Sequence, residues 1–381
     1  MLFRCLIICT YLSVICSATS KRKLDARADP YCDGASSDCG LCYVRAVGSN
    51  DTLHHFWSTR GAPTLFTLIT GPEGVLTEIN WDQIRERNFT SSAFKFSEPS
   101  RLAYALVLSK IWESSKDTNA TAINLSKLTW EGVSGCSGNG SLETADFTAN
   151  HSTLNDDNHY FSENGSIHLT MVASEKWNHE ERPPGLVRDA NSCEVQLQLV
   201  KLNPRLTNES HWNVEVTLVG GWAKNHPPRF IVETTIDDQH APGTFERVAL
   251  LSEEQYAMWR PVVYGDEDHK MTLSGITRSG NVDFASNAWR LSDTLKAWVA
   301  ESKAPEAASL PLSLASTKSL CNSWSATVGL GDLPSEGLPS GALLAALSVA
   351  AMFLALAVVT LLCMLLPKKI RSNDDEALLV A

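Results

Sequence analysis

Eight tripeptides of the form Asn-x-Ser/Thr, with x other than Pro, stand at Asn50, Asn88, Asn119, Asn124, Asn139, Asn150, Asn164 and Asn208. Each is an acceptor pattern for an N-linked glycan, a bulky and solubilising group that belongs on a surface. One such tripeptide arises easily by chance. Eight on the same side of an apolar C-terminal segment predict passage through a secretory lumen. Seven of the eight fall between Asn50 and Asn164, so the first half of the chain is expected to be coated and the second half mostly bare. The bare half is the expected partner-facing side.

The chain has ten cysteines; Cys5, Cys9 and Cys16 lie in an N-terminal apolar run and Cys363 in a C-terminal one. The other six, Cys32, Cys39, Cys42, Cys136, Cys193 and Cys321, are an even set that suggests up to three disulfides, with about fifteen connectivities open. Cys39-Gly-Leu-Cys42 has the spacing of a redox dithiol, but that chemistry needs a thioredoxin-like βαβ setting. Here the pair sits in a Gly, Ser and Asp-rich opening segment beside Cys32 and reads as a structural staple. His54 and His55 are adjacent, so on a strand they point to opposite faces and cannot share an ion. Asp237, Asp238 and His240 could form a carboxylate–imidazole site, but Ala241-Pro242-Gly243 follows at once and favours a turn. Metalloprotease, P-loop, dinucleotide-binding and nucleophile-elbow patterns are absent. No catalytic residue, metal ligand or cofactor is therefore expected, and a net charge of −11 argues against a nucleic-acid partner.

The C-terminal residues carry a different kind of signal. Asp374-Asp375-Glu376-Ala377-Leu378-Leu379 has the acidic dileucine form, with Asp374, Leu378 and Leu379 as its anchors. Clathrin adaptors take such extended peptides into one basic and two hydrophobic pockets, and the expected destination is the endosome and lysosome.

These groups must be placed by the elements around them. Arg4, the apolar run Leu6 to Cys16 and the small residues Ser17 to Ser20 read as a signal peptide over 1–18, with cleavage after Ala18 or Ser20. Gly341 to Leu366 is an uncharged stretch of 26 residues, longer than a hydrocarbon core of about 30 Å requires. Lys368, Lys369 and Arg371 follow it, whereas the preceding flank holds Asp332 and Glu336, so the tail 367–381 is expected in the cytosol. Between the ends the patterns are mainly β. Cys193, Val195, Leu197 and Leu199 alternate with polar residues, as do Trp212, Val214, Val216 and Leu218, and the two runs predict a β-hairpin tipped by Asn208. Leu102, Tyr104, Leu106 and Leu108 have apolar neighbours and predict a strand buried on both faces. Thr64 to Thr70, Ile167 to Met171 and Arg229 to Ile236 predict further strands. The resulting expectation is an antiparallel β-sandwich-like ectodomain plus one C-terminal transmembrane helix. Short helices are expected over Ser292 to Ser302 and over Glu253 to Trp259. Asn178 to Asp189 suggests a boundary between a module over 19–180 and another over 191–331, Lys303 to Ser319 a loop, and 332–340 a stalk. The eleven scattered tryptophans read as core anchors.

Several patches, taken in order, resemble the glycosylated lysosomal membrane protein family. They are Val44 to Gly48 with Asn50 and Leu53-His54, then Asn80-Trp81, Asn164-Gly165-Ser166, Cys193 with its strand, Ile236-Asp237-Asp238 with Ala241-Pro242 and Phe245, and Trp259 to Val262 with Tyr264. The resemblance implies a non-enzymatic accessory subunit that associates with a lysosomal major-facilitator transporter implicated in dipeptide export. It would shield that transporter from lumenal proteases and help it reach the lysosome. The tail departs from the vertebrate pattern in having no tyrosine-based signal, and the Cys32, Cys39 and Cys42 group is particular to this chain. A membrane-anchored lumenal hydrolase and a cell-surface binding ectodomain are the alternatives.

Overall fold

The computed structural model describes residues 21–33, 39–100, 102–115, 118, 122–134, 136, 140–150, 160–179, 186–206, 210–220, 229–237, 243–251, 258–267, 270–274, 277–300, 305–318, 320–331, 334 and 340–365. The chain divides into a unit ending at Pro334 and a second that begins at Ser335.

Two nine-stranded antiparallel sheets build the first unit. One runs Lys23–Ala28, Leu41–Val47, Thr52–Ser58, Thr64–Thr70, Leu102–Ser114, His211–Gly220, Glu306–Ser316 and Thr277–Arg278, with Ile123–Asn124 beside Leu102–Ser114. The other runs Arg229–Asp237, Gly243–Leu251, Met258–Glu267, Cys321–Gly329, Ser192–Leu202, Phe161–Ser174, Leu142–Asn150 and Glu131–Ser134, with Lys270–Ser274 beside Met258–Glu267. The main core lies between the sheets. Trp57, Leu106, Val214 and Leu310 of the first sheet meet Phe147, Leu169, Val195 and Trp324 of the second. Period-2 alternation puts these residues on one side of each strand and makes this closure favourable, at about 1.5–3 kcal/mol per large side chain buried.

The first sheet is covered on its other face as well. Phe56, Phe66, Ala105, Val107 and Val219 pack beneath the short helices Trp81–Arg85 and Asp293–Val299 and the hairpin Leu76–Ile79/Phe94–Phe96. Leu102–Ser114 is thus a central strand with both faces buried from Tyr104 to Leu108, as its unbroken apolar run predicts. Ser292 caps the second helix by accepting from the Leu295 N–H at 3.2 Å.

Five expectations change. Ser192–Leu202 and His211–Gly220 are not a hairpin, because they lie in opposite sheets and their connection arches across the core. Alternation reports an inward face but not which sheet carries it. Each sheet draws strands from both halves of the chain, so the modules 19–180 and 191–331 are one interleaved unit. The expected boundary is a flap instead, in which Asn178–His179 pairs with Val187–Arg188. Most of the expected loop 303–319 is the strand Glu306–Ser316, whose Ala308, Leu310, Leu312 and Leu314 point inward among small residues that masked the period. Met258 and Trp259 open a strand, not a helix, and 253–257 lie outside the described residues.

The described part of the second unit is one helix, Ser340–Leu365, and its stretch Ala346–Met364 has a mean hydropathy of 2.6. It is long and apolar enough to cross a bilayer.

Candidate functional site

The strand Thr52–Ser58 carries the two histidines to opposite faces of the first sheet. On the outer face the His54 ring meets the Tyr43 hydroxyl at 2.7 Å and Thr70 Oγ1 at 2.9 Å, with Phe96 edge-on at 4.9 Å. On the inner face His55 Nδ1 lies 2.9 Å from Thr67 Oγ1 and 3.5 Å from Cys193 Sγ. The strand Ser192–Leu202 of the second sheet brings Cys193 there across the core. Both imidazoles are fully buried, and burial holds each pKa down at about 3; Arg45 adds to the effect at His54, and Arg22 and His54 add to it at His55.

A cysteine beside a histidine is the geometry of an activated nucleophile. The electrostatics here run the other way. Burial raises the Cys193 thiol well above its ordinary range while it depresses the imidazole, so the thiolate–imidazolium pair is disfavoured on both sides. The contact is neutral and closed off in the core, and its role is packing and hydrogen bonding. Asp237 ends the strand Arg229–Asp237, and Asp238 and His240 lie outside the described residues. Among the described residues no group of three or more His, Cys, Asp or Glu side chains is arranged to hold a metal ion.

The cysteines of the 39–42 motif go to different partners on opposite faces of the first sheet. Cys39 bonds Cys32 under the outer cap, and Cys42 bonds Cys136 at the inter-sheet core. They are two staples rather than one dithiol. Cys193 is a free thiol, and of the up to three disulfides that six cysteines allow, one between Cys193 and Cys321 meets a geometric bar. The register sets Cys193 opposite Val328 and Cys321 opposite Val200. Seven residues along the ladder amount to about 23 Å at about 3.3 Å per residue, beyond any disulfide.

Of the sequon asparagines, Asn50, Asn88 and Asn164 are exposed, and Asn124 and Asn150 are half-buried. Asn124 Oδ1 accepts from Ser126 N and Oγ at 3.0 and 2.7 Å, and Asn150 Nδ2 donates to Glu131 Oε1 at 2.8 Å. Asn119, Asn139 and Asn208 lie outside the described residues, as do Asp374, Leu378 and Leu379 of the tail. Trp57, Trp212 and Trp324 are fully buried between the sheets, in the anchoring role expected of them.

Four buried charged residues, at three places, stand outside the sequence expectations. Glu113, fully buried, accepts from Arg205 N at 2.7 Å, Leu206 N at 3.0 Å and the Ser210 hydroxyl, and so ties down the arch between the sheets. Its signal is a carboxylate in phase with the inward Ile111. Arg22 pairs with Asp51 at 2.6 Å and donates to Asn191 Oδ1 at 3.0 Å, joining the first strand to both sheets. Arg188 and Glu194 form a buried ion pair beneath the flap.

The described side chains build a scaffold, and comparison with known proteins supplies its kin. The family model described as glycosylated lysosomal membrane protein matches residues 40–372. The chain belongs to that family. It is 27% identical over 245 residues to the glycosylated lysosomal membrane protein of Mus musculus, covering 60% of this chain and 58% of the mouse protein. The protein of the same name from Homo sapiens is 26% identical over 244 residues, again covering 60% of this chain and 58% of the relative. That of Danio rerio is 24% identical over 376 residues, covering 88% of this chain and 89% of its own length. Family membership makes the chain a lysosomal membrane glycoprotein and accounts for the apolar helix Ser340–Leu365.

Proposed function

We propose that this protein is a non-enzymatic accessory subunit of a polytopic lysosomal transporter of the major-facilitator class, one that moves dipeptides. The protein is type I, with the double-sheet unit in the lumen and the tail in the cytosol. It stabilises the transporter and protects it from lumenal proteolysis, and it supports delivery to the lysosome. Clathrin adaptors read Asp374, Leu378 and Leu379.

One observation carries the reading. The side chains in the described unit that most resemble catalytic ones, His54, His55 and Cys193, are buried and held in their neutral forms. What the unit offers its surroundings is surface, and a single apolar helix provides no transport path of its own. Charge placement supports the orientation, since the bases Lys368, Lys369 and Arg371 follow the helix directly. Sequon placement supports the shielding role, because glycans on exposed asparagines hide backbone from proteases. No sequon follows Asn208, and the strands Arg229–Asp237, Gly243–Leu251 and Met258–Glu267, adjacent at one end of the second sheet, carry none, which supports that end as the partner-facing part.

Purification of the native protein in mild detergent tests this. A multi-span transporter should co-elute and should turn over faster in cells that lack this chain. Elution without any multi-span partner, from a preparation with an intact ectodomain, would refute the reading.

A further inference from the structure

We propose that the sequons fall into two kinetic classes. Asn50 and Asn164 accept a glycan only before their strands close, whereas Asn88 accepts one on the folded domain as well. The inference rests on the lumenal placement proposed above.

The chemistry is group transfer from a lipid-pyrophosphate-linked oligosaccharide. The asparagine amide nitrogen forms a bond to the sugar's anomeric carbon and gives up a proton. The bond from that carbon to the pyrophosphate oxygen breaks, and the lipid pyrophosphate leaves. The transferase recognises the hydroxyl two residues after the asparagine, so the acceptor segment must be free to enter its groove with that hydroxyl unengaged.

In Asn50-Asp51-Thr52 only the asparagine meets this condition. Asn50 is exposed at a turn, but Thr52 is fully buried and its hydroxyl donates to the Pro72 carbonyl at 2.8 Å. Thr52 also opens a strand paired on both sides, opposite Val47 and Thr70. Asp51 between them is held by Arg22 at 2.6 Å, and its carbonyl accepts from Gly48 N at 2.9 Å. Asn164 repeats the arrangement. It is exposed on a bulge of the strand Phe161–Ser174, while Ser166 is paired with Val200 and Asn150 and its hydroxyl lies 2.8 Å from His168 Nε2. In both places a finished glycan fits the fold, but the recognition of its acceptor does not.

Asn88-Phe89-Thr90 differs. It follows the short helix Trp81–Arg85 in a connection outside either sheet, and both Asn88 and Thr90 are exposed. Its anchors are local ones: Asn88 N donates to the Gln83 carbonyl at 3.0 Å, within the same short segment, and Lys296 Nζ lies 5.1 Å from the Phe89 ring centre. A paired strand opens only with much of the domain, whereas a connecting segment opens locally. Acceptance at Asn50 in the folded domain should therefore be slower than at Asn88 by about a thousandfold or more.

The test uses the full chain, translated into microsomes depleted of the lipid-linked donor, released and oxidised before donor is restored. Thiol blocking separates chains carrying the Cys42–Cys136 bridge from reduced ones, and mass spectrometry reads each site. Bridged chains should fill Asn88 but not Asn50 or Asn164, and chains kept reduced with dithiothreitol should fill all three. Comparable filling of Asn50 and Asn88 in bridged chains overturns the proposal, as does exclusion of Asn88. A second arm keeps the other glycans and so does not depend on folding without them. In cells, Thr52→Ser makes Asn50 a weaker acceptor. Skipped Asn50 sites should stay empty through a chase, and dithiothreitol during synthesis should raise their occupancy; late filling without reductant overturns the inference. Absence of glycan at every sequon under all conditions would instead remove the lumenal placement.

Discussion

At neutral pH the imidazoles of His54 and His55 are uncharged in the fold and mostly uncharged in the unfolded chain, where a histidine titrates at about 6.5. Burial holds both folded values at about 3. Between those limits only the unfolded chain takes up the protons, so stability falls as the medium is acidified from about pH 6.5 toward pH 3. At pH 5 the loss is about 2 kcal/mol for each histidine. Asp29 and Asp189 act with the opposite sign, because burial raises their carboxyls and the fold binds those protons more readily than the open chain. His55→Gln should flatten the dependence of the denaturation midpoint between pH 7 and pH 5; parallel slopes in variant and wild type would sink the assignment. Glu113 makes a separate case. Replacing it with Ala removes the shared acceptor of the Arg205 and Leu206 N–H groups and of the Ser210 hydroxyl, at a cost of about 1–3 kcal/mol measured in denaturant. Sequence reading separated the two histidines onto opposite faces, since that follows from strand geometry alone. It passed over Glu113 and the contact of His55 with Cys193, because each depends on which distant segment arrives opposite, and spacing does not encode that.

The elements show the same division between what is local and what is not. The bounds of Thr64–Thr70 and the buried run of Leu102–Ser114 were legible, because Pro or Gly punctuation and hydrophobic period are properties of one segment. Sheet membership was not, since two neighbouring strands of matching alternation satisfy the core equally well as a hairpin or as an arch. The disulfides mark these elements in proportion to the chain they enclose. Cys42–Cys136 spans a separation of 94 residues and Cys32–Cys39 one of 7. Loop-closure entropy then assigns about 4–5 kcal/mol to the first and about 2 kcal/mol to the second. Replacing Cys42 and Cys136 together with Ser should therefore lower the unfolding free energy by about twice as much as replacing Cys32 and Cys39. Equal losses in matched denaturant titrations would show that the bridges do not act through chain entropy.

For the whole molecule, the apolar C-terminal helix was the most legible property, because it is written in composition over a long stretch rather than in contacts. The uncharged run ending near Leu366 became the helix Ser340–Leu365 almost residue for residue. The division into two modules failed for the converse reason: composition shifts along a chain whose strands interleave in space. This separation of properties makes the sorting proposal testable in isolation. The double-sheet unit ends at Pro334, and the dileucine residues lie more than forty positions beyond it. Leu378→Ala with Leu379→Ala should thus leave the fold and its denaturation midpoint unchanged. If adaptors read these leucines, their loss removes the hydrophobic anchors while the acidic residues stay, and the protein should accumulate at the cell surface. Surface biotinylation at steady state measures this, and Asp374→Asn should shift the distribution in the same direction by a smaller amount, since it weakens one electrostatic contact and keeps both apolar ones. If the doubly substituted protein stays lysosomal in cells that contain the transporter but moves to the surface in cells that lack it, delivery follows the partner and not this tail. If it stays lysosomal in both, the tail motif carries no sorting information and the destination is encoded elsewhere in the chain.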